Sequence, residues 1–166
     1  MLRVFLSLIL LISTAAFGTD SSLTKPAFKK LMQLQGEWVG TDANGKSVHS
    51  SFKPVVSGTT LMETLSPTGM EEMLSLYTID GDGIQVSHFC PTNNQPRMRA
   101  VPSSADPQDL DFQFTGAGNL PDVSVGHQHR LVIHFADANH ITETWTWHDA
   151  DHDMPMVFNL TRHQKN

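Results

Sequence analysis

The chain has 166 residues and a formal net charge of −6, from 11 Lys and Arg against 17 Asp and Glu. That length predicts a single domain with a core of its own, and the acidic balance gives no electrostatic case for binding nucleic acid or an anionic membrane surface. Cys90 is the only cysteine, so no internal disulfide can form and the core must hold the fold.

Residues 1–18 read as a secretory signal peptide. Arg3 precedes an apolar stretch from Val4 to Ile12, broken only by Ser7, and small residues at Ala16 and Gly18 suit cleavage after Gly18. The stretch is too short to span a bilayer, which takes about 20 residues. No later segment is continuously apolar, and no cysteine stands at the cleavage site for a lipid. The expected product is 19–166, a periplasmic or secreted protein without a membrane anchor. Removing 18 of the 166 residues leaves 148 and takes away one basic and no acidic residue, moving the charge from −6 to −7.

From Thr24 to Leu34 the residues Phe28, Leu31, Met32 and Leu34 recur at helical spacing, with Thr24 as expected N-cap, Pro26 in the first turn and Gly36 past the end. Beyond Gly36 the period changes to two. Strands are predicted near 37–42, 46–55, 59–66, 71–79, 83–90, 96–101, 109–115, 127–136, 140–148 and 154–163. Turn signals such as Asn44-Gly45, Pro67-Thr68-Gly69 and Asp80-Gly81-Asp82-Gly83 divide them. Alternation groups Leu110, Phe112 and Phe114; Leu131, Ile133 and Phe135; Ile141, Glu143, Trp145 and Trp147; and Met154, Met156, Phe158, Leu160 and Arg162, one buried face per strand. The expected fold is mainly β: an antiparallel up-and-down barrel of about ten strands after a short N-terminal helix, with a two-sheet sandwich as the competing arrangement. Segment 102–108 is the expected mobile loop.

The helix leading into Gly36-Glu37-Trp38 resembles the Gly-x-Trp start of lipocalins and other calycin barrels. That resemblance implies that Trp38 closes one barrel end and that Arg162, on the last strand, packs across its ring. Leu61-Met62-Glu63-Thr64-Leu65, Glu72 to Tyr77, Asp80-Gly81-Asp82, His88-Phe89-Cys90 and Asn94-Gln95-Pro96-Arg97-Met98 together resemble a family of small bacterial exported proteins of unknown function, with a calycin-like fold. It implies a fold and no reaction.

Glu63 lies between Leu61 and Leu65, and Glu143 between Ile141 and Trp145, so both carboxyls are expected inside, where an ionised carboxylate needs a cation, a donor or its own proton. The available partners are Arg97, Arg99, Tyr77 and His88. Ile84, Val86, His88 and Cys90 share a face, which would set His88 and Cys90 side by side, though two positions apart on a strand is loose for a nucleophile and its base. Asn94 and Gln95, held between Pro91 and Pro96, would present amides at the barrel mouth. Such a constellation orients a ligand, supplies a general acid and base, or braces the barrel as an internal salt bridge.

Nine histidines raise the question of metal. His148 and His152 flank an acidic turn and His127 and His129 stand two apart, but no spacing matches a zinc motif. His163 is the position comparable to the haem-binding histidine of some calycin barrels, and its parity points outward. No cofactor is identified. Methionines 62, 73, 98, 154 and 156 would fill a core or line an adaptable pocket. The expected function is binding of a small apolar or amphipathic molecule in the lumen, through Glu63, Tyr77, His88, Cys90, Asn94, Gln95, Arg97 and Glu143. A hydrolase or isomerase using the inward Glu, His and Cys residues, or a packed barrel without ligand, are the alternatives.

Overall fold

The computed structural model describes residues 22–164, so the proposed signal peptide lies outside the described residues. One helix, α1 (Thr24–Met32), precedes ten strands: β1 (Gly36–Asp42), β2 (Ser47–Val55), β3 (Thr60–Pro67), β4 (Met73–Asp80), β5 (Gly83–Phe89), β6 (Gln95–Ala100), β7 (Asp109–Gly118), β8 (His127–Phe135), β9 (His140–Asp149) and β10 (His152–Arg162). Each strand pairs antiparallel with its sequence neighbours, and β10 returns to β1 with Trp38 opposite Arg162. The barrel is thus closed and up-and-down, and no strand is left with an unpaired edge. The two-sheet arrangement does not form.

Closure places alternate connections at opposite ends. One end receives α1, the start of β1 and the end of β10. Ala27, Phe28 and Leu31 are buried on one side of α1, and the helix lies against β4 and β5. Thr24 does not cap it: Leu23 holds the N-cap position without a side-chain bond, and the Thr24 hydroxyl is buried without a partner. The helix registers one residue earlier than the cap residue suggests because burial of Thr24, rather than capping, fixes its start. The segment 101–108 crosses this end, where Lys30 Nζ reaches Asp106 at 2.6 Å and also lies 4.9 Å from the centre of the Phe135 ring.

Trp38 is fully buried here, and its Nε1 donates to Leu34 O at 2.7 Å. The Arg162 guanidinium lies 4.3 Å from the Trp38 ring centre and donates to the carbonyls of Gln33 and Gln35, each at 2.8 Å, and of Ala138 at 3.1 Å. Carbonyls beyond the helix C-terminus have no helical partner, so a planar cation with several N–H groups suits them. Gly36, at φ +128, carries the chain past this guanidinium in a conformation that L side chains rarely adopt. Replacing Arg162 by Ala is expected to cost about 2 kcal/mol, and Arg162→Lys to recover less than half of it, because an ammonium cannot span three carbonyls. Urea midpoints of the two variants check this.

The other end is open. It carries the turns at 43–46, 68–72, 90–94 and 150–151 and the longer connection 119–126. Between the ends, Phe52, Leu61, Leu65, Ile84, Val86, Met98, Phe112, Leu131, Ile133 and Phe158 fill the interior.

Candidate functional site

The interior holds a polar ring within this apolar packing. Register sets Glu63 of β3 opposite Ser75 of β4, and Ser75 opposite His88 of β5. Tyr77, two residues on from Ser75, reaches back to Glu63, and Ser50 approaches from β2. Glu63 accepts from Tyr77 Oη at 2.6 Å on one oxygen and from Ser50 Oγ at 3.0 Å on the other. From β9, Glu143 accepts from Trp145 Nε1 at 3.0 Å. The Glu63 and Glu143 carboxyls influence each other's protonation. Ser75 Oγ lies 3.0 Å from His88 Nδ1, and the His88 ring rests 4.6 Å from that of Trp145, which closes the circuit.

Every member is sealed from solvent, and neither glutamate takes part in an ion pair among the described residues. Burial raises the pKa of Glu63, and burial together with the neighbouring Glu63 charge raises that of Glu143 well above the usual carboxylate range. Among the described residues Glu143 Oε1 receives no N–H or hydroxyl, whereas both Glu63 oxygens do. Glu143 is therefore the carboxyl of the two that holds its proton more firmly. Tyr77 is driven well above its usual pKa by burial and by both glutamates, so it stays a donor. Desolvation lowers His88 to about 4, keeping it neutral, and its Nε2 is buried without a partner.

The arginines expected to neutralise the glutamates point the other way. Arg97 is exposed between buried Pro96 and Met98, and Arg99 binds Asp80 and Asp82 on the outside. Cys90 follows the last residue of β5 and does not join His88. It is half-buried at the open end. Asn94 is nearly fully buried rather than presented to solvent: its Nδ2 donates to Gly126 O at 2.9 Å and ties down the 119–126 connection. Gln95 donates to Asn93 O at 3.2 Å.

Of the residues that enclose space, sequence reasoning named Met73, Cys90 and Met156 and missed Met70, Gln128 and Trp147. An apolar cavity of about 380 Å³ opens at the uncapped end, lined by Met70, Met73, Cys90, Gln128, Trp147 and Met156 with flanking loop residues. Glu63, Tyr77, His88 and Glu143 do not line it. Counting back from inward Leu131, alternation puts Gln128 outside. A bulge between Gln128 and Arg130 shifts the register, so that Gln128 pairs with Trp147 and shares its face.

Beside the cavity, His127, His129 and His148 gather with Phe114. His127 Nε2 lies 3.1 Å from His129 Nδ1, and His148 Nδ1 is 2.7 Å from Asp153 Oδ1. The ring centres of the three histidines are 4.9 to 5.6 Å apart. Burial, followed by the charges of His127 and His148, lowers the pKa of His129. Exposed His152 does not join them. Among the described residues no three His, Cys, Asp or Glu side chains are arranged to hold a metal ion. His163 is exposed and takes part through its backbone N–H, which donates to Glu37 O at 2.7 Å.

No family model matches the chain, and no curated protein matches it. Solved structures do share its architecture. Rv2717c from M. tuberculosis is 11% identical with a TM-score of 0.61, over 85% of this chain and 99% of that one. A protein of unknown function of the DUF3598 family from Nostoc punctiforme PCC 73102 is 13% identical with a TM-score of 0.53, over 79% of this chain and 48% of its own. At these identities the likeness is one of fold.

Proposed function

We propose that this is an exported, lipocalin-like binding protein that holds a small apolar or amphipathic molecule at the open end of its barrel. The observation that carries this is the cavity of about 380 Å³ walled by Met73, Trp147 and Met156, a size within the range of small-molecule sites. Methionine adapts to irregular ligands and tryptophan offers a broad apolar wall. The buried acid pair beneath serves as a rigid brace, because Glu63 and Glu143 are sealed and a substrate would have to displace packed side chains to reach them. Export rests on the N-terminal segment, whose composition is that of a secretory signal.

The neutral solvatochromic dye Prodan tests the cavity. Its emission is expected to shift to the blue and saturate on titration with the protein. A Cβ on Gly126 would lie 2.3 Å from Trp147 Cζ2, so Gly126→Ala must displace the ring that forms the wall. The variant is expected to bind Prodan about tenfold more weakly, in line with the 1–3 kcal/mol that overpacking costs. No saturable shift with the native chain overturns the proposal.

A further inference from the structure

Gln128 is out of place in an apolar wall. It is 3% exposed, and its Oε1 is buried without a partner among the described residues. An unpaired buried amide oxygen is costly, on the order of 1–3 kcal/mol, and the bulge that turns Gln128 inward keeps it there. No Lys, Arg or His lines the cavity, and Glu71 is its one ionisable acid. An anion would find no counter-charge and would meet that carboxylate. A pure hydrocarbon would leave the amide unpaired.

We propose that the ligand is a neutral molecule with an apolar body and an amide-like edge, a donor and an acceptor side by side, which pairs with the carboxamide of Gln128. A half-turn of the terminal amide exchanges its two atoms, so the edge can be met in either orientation. Primary amides, lactams and pyrimidinone-like rings have this edge. The inference rests on the cavity being the binding site, and it adds the polar group that site selects.

Displacement of Prodan by octane, 1-octanol, octanoate, octylamine and octanamide tests it, with native protein and Gln128→Leu. Octanamide is expected to compete best, ahead of octanoate and octylamine by about tenfold or more, as paired against unpaired buried groups discriminate. Gln128→Leu is expected to abolish the amide's advantage while leaving octane as good or better. The same variant, without ligand, is expected to melt higher than native, since it removes an unpaired amide. A lower melting temperature means that Gln128 is structural and overturns the inference. Equal competition by octane and octanamide, or a better fit of octylamine, overturns it while sparing the cavity. Failure of every probe, Prodan included, overturns both.

Discussion

Glu63→Ala is expected to destabilise the barrel by about 4 kcal/mol, and Glu63→Gln by less than about 1.5 kcal/mol. The alanine variant strips the acceptor from Tyr77 and Ser50 together, in an interior sealed from solvent. Glutamine keeps one acceptor oxygen and removes the buried charge. A loss of about 4 kcal/mol is a large share of the 5–15 kcal/mol typical of a domain, so where the alanine variant fails to fold, the glutamine variant carries the test. Equal losses for the two would mean that cavity formation, not the hydrogen bonds, sets the cost. The pair also has a pH signature. Both carboxyls have folded-state pKa values raised above the unfolded ones, so the folded state holds extra proton. The stability this confers is complete below about 4.5 and is lost as pH rises through the raised values. Glu143→Gln removes the main titrating group. Urea unfolding at several pH values should therefore show the native chain losing stability relative to Glu143→Gln as pH rises. Parallel curves would contradict a protonated Glu143.

Much of this was legible before any coordinates. The ten strands follow from turn signals and alternation, because each strand has one wet face and the sequence must mark it. Glu63 and Glu143 could be placed inside from their apolar neighbours and Arg162 inward from strand parity, while its place over Trp38 was implied by the resemblance to Gly-x-Trp barrels. Their partnership could not. Glu63 and Glu143 are 80 positions apart and meet across the lumen, and alternation states a direction without saying which opposite wall lies in reach. The face of Arg97 and Arg99 is not fixed by the sequence, because the apolar markers of β6 are Pro96, Met98 and the small Ala100, a weak alternation. Gln128 was invisible for a different reason. The stretch His127 to Arg130 is polar throughout, so nothing in it signals the bulge that inverts its faces. The functional candidate thus lies where local pattern fails, and the brace lies where it succeeds.

At the acid side, His88 should govern the opposite limb of the pH profile. Its folded pKa of about 4 lies below the ordinary 6.5 because burial disfavours the imidazolium. A depressed base contributes stability above its unfolded pKa, and that contribution is lost as pH falls from about 6.5 through 4. The gap corresponds to about 3 kcal/mol. Burial produces it: among the described residues Ser75 is the one hydrogen-bond partner of the ring, and Trp145 packs on its face. His88→Gln is expected to retain the bond to Ser75 and to flatten stability between pH 6.5 and 4, which urea unfolding at pH 4.5 and 7 measures directly. Because the glutamates gain stability over part of the same interval in which His88 loses it, the native profile should have a broad maximum. Removing His88 should move that maximum toward acid, and removing the Glu143 proton should move it toward neutral. A shift of the maximum in the same direction for both variants would show that the imidazole and the acid pair do not titrate as separate groups.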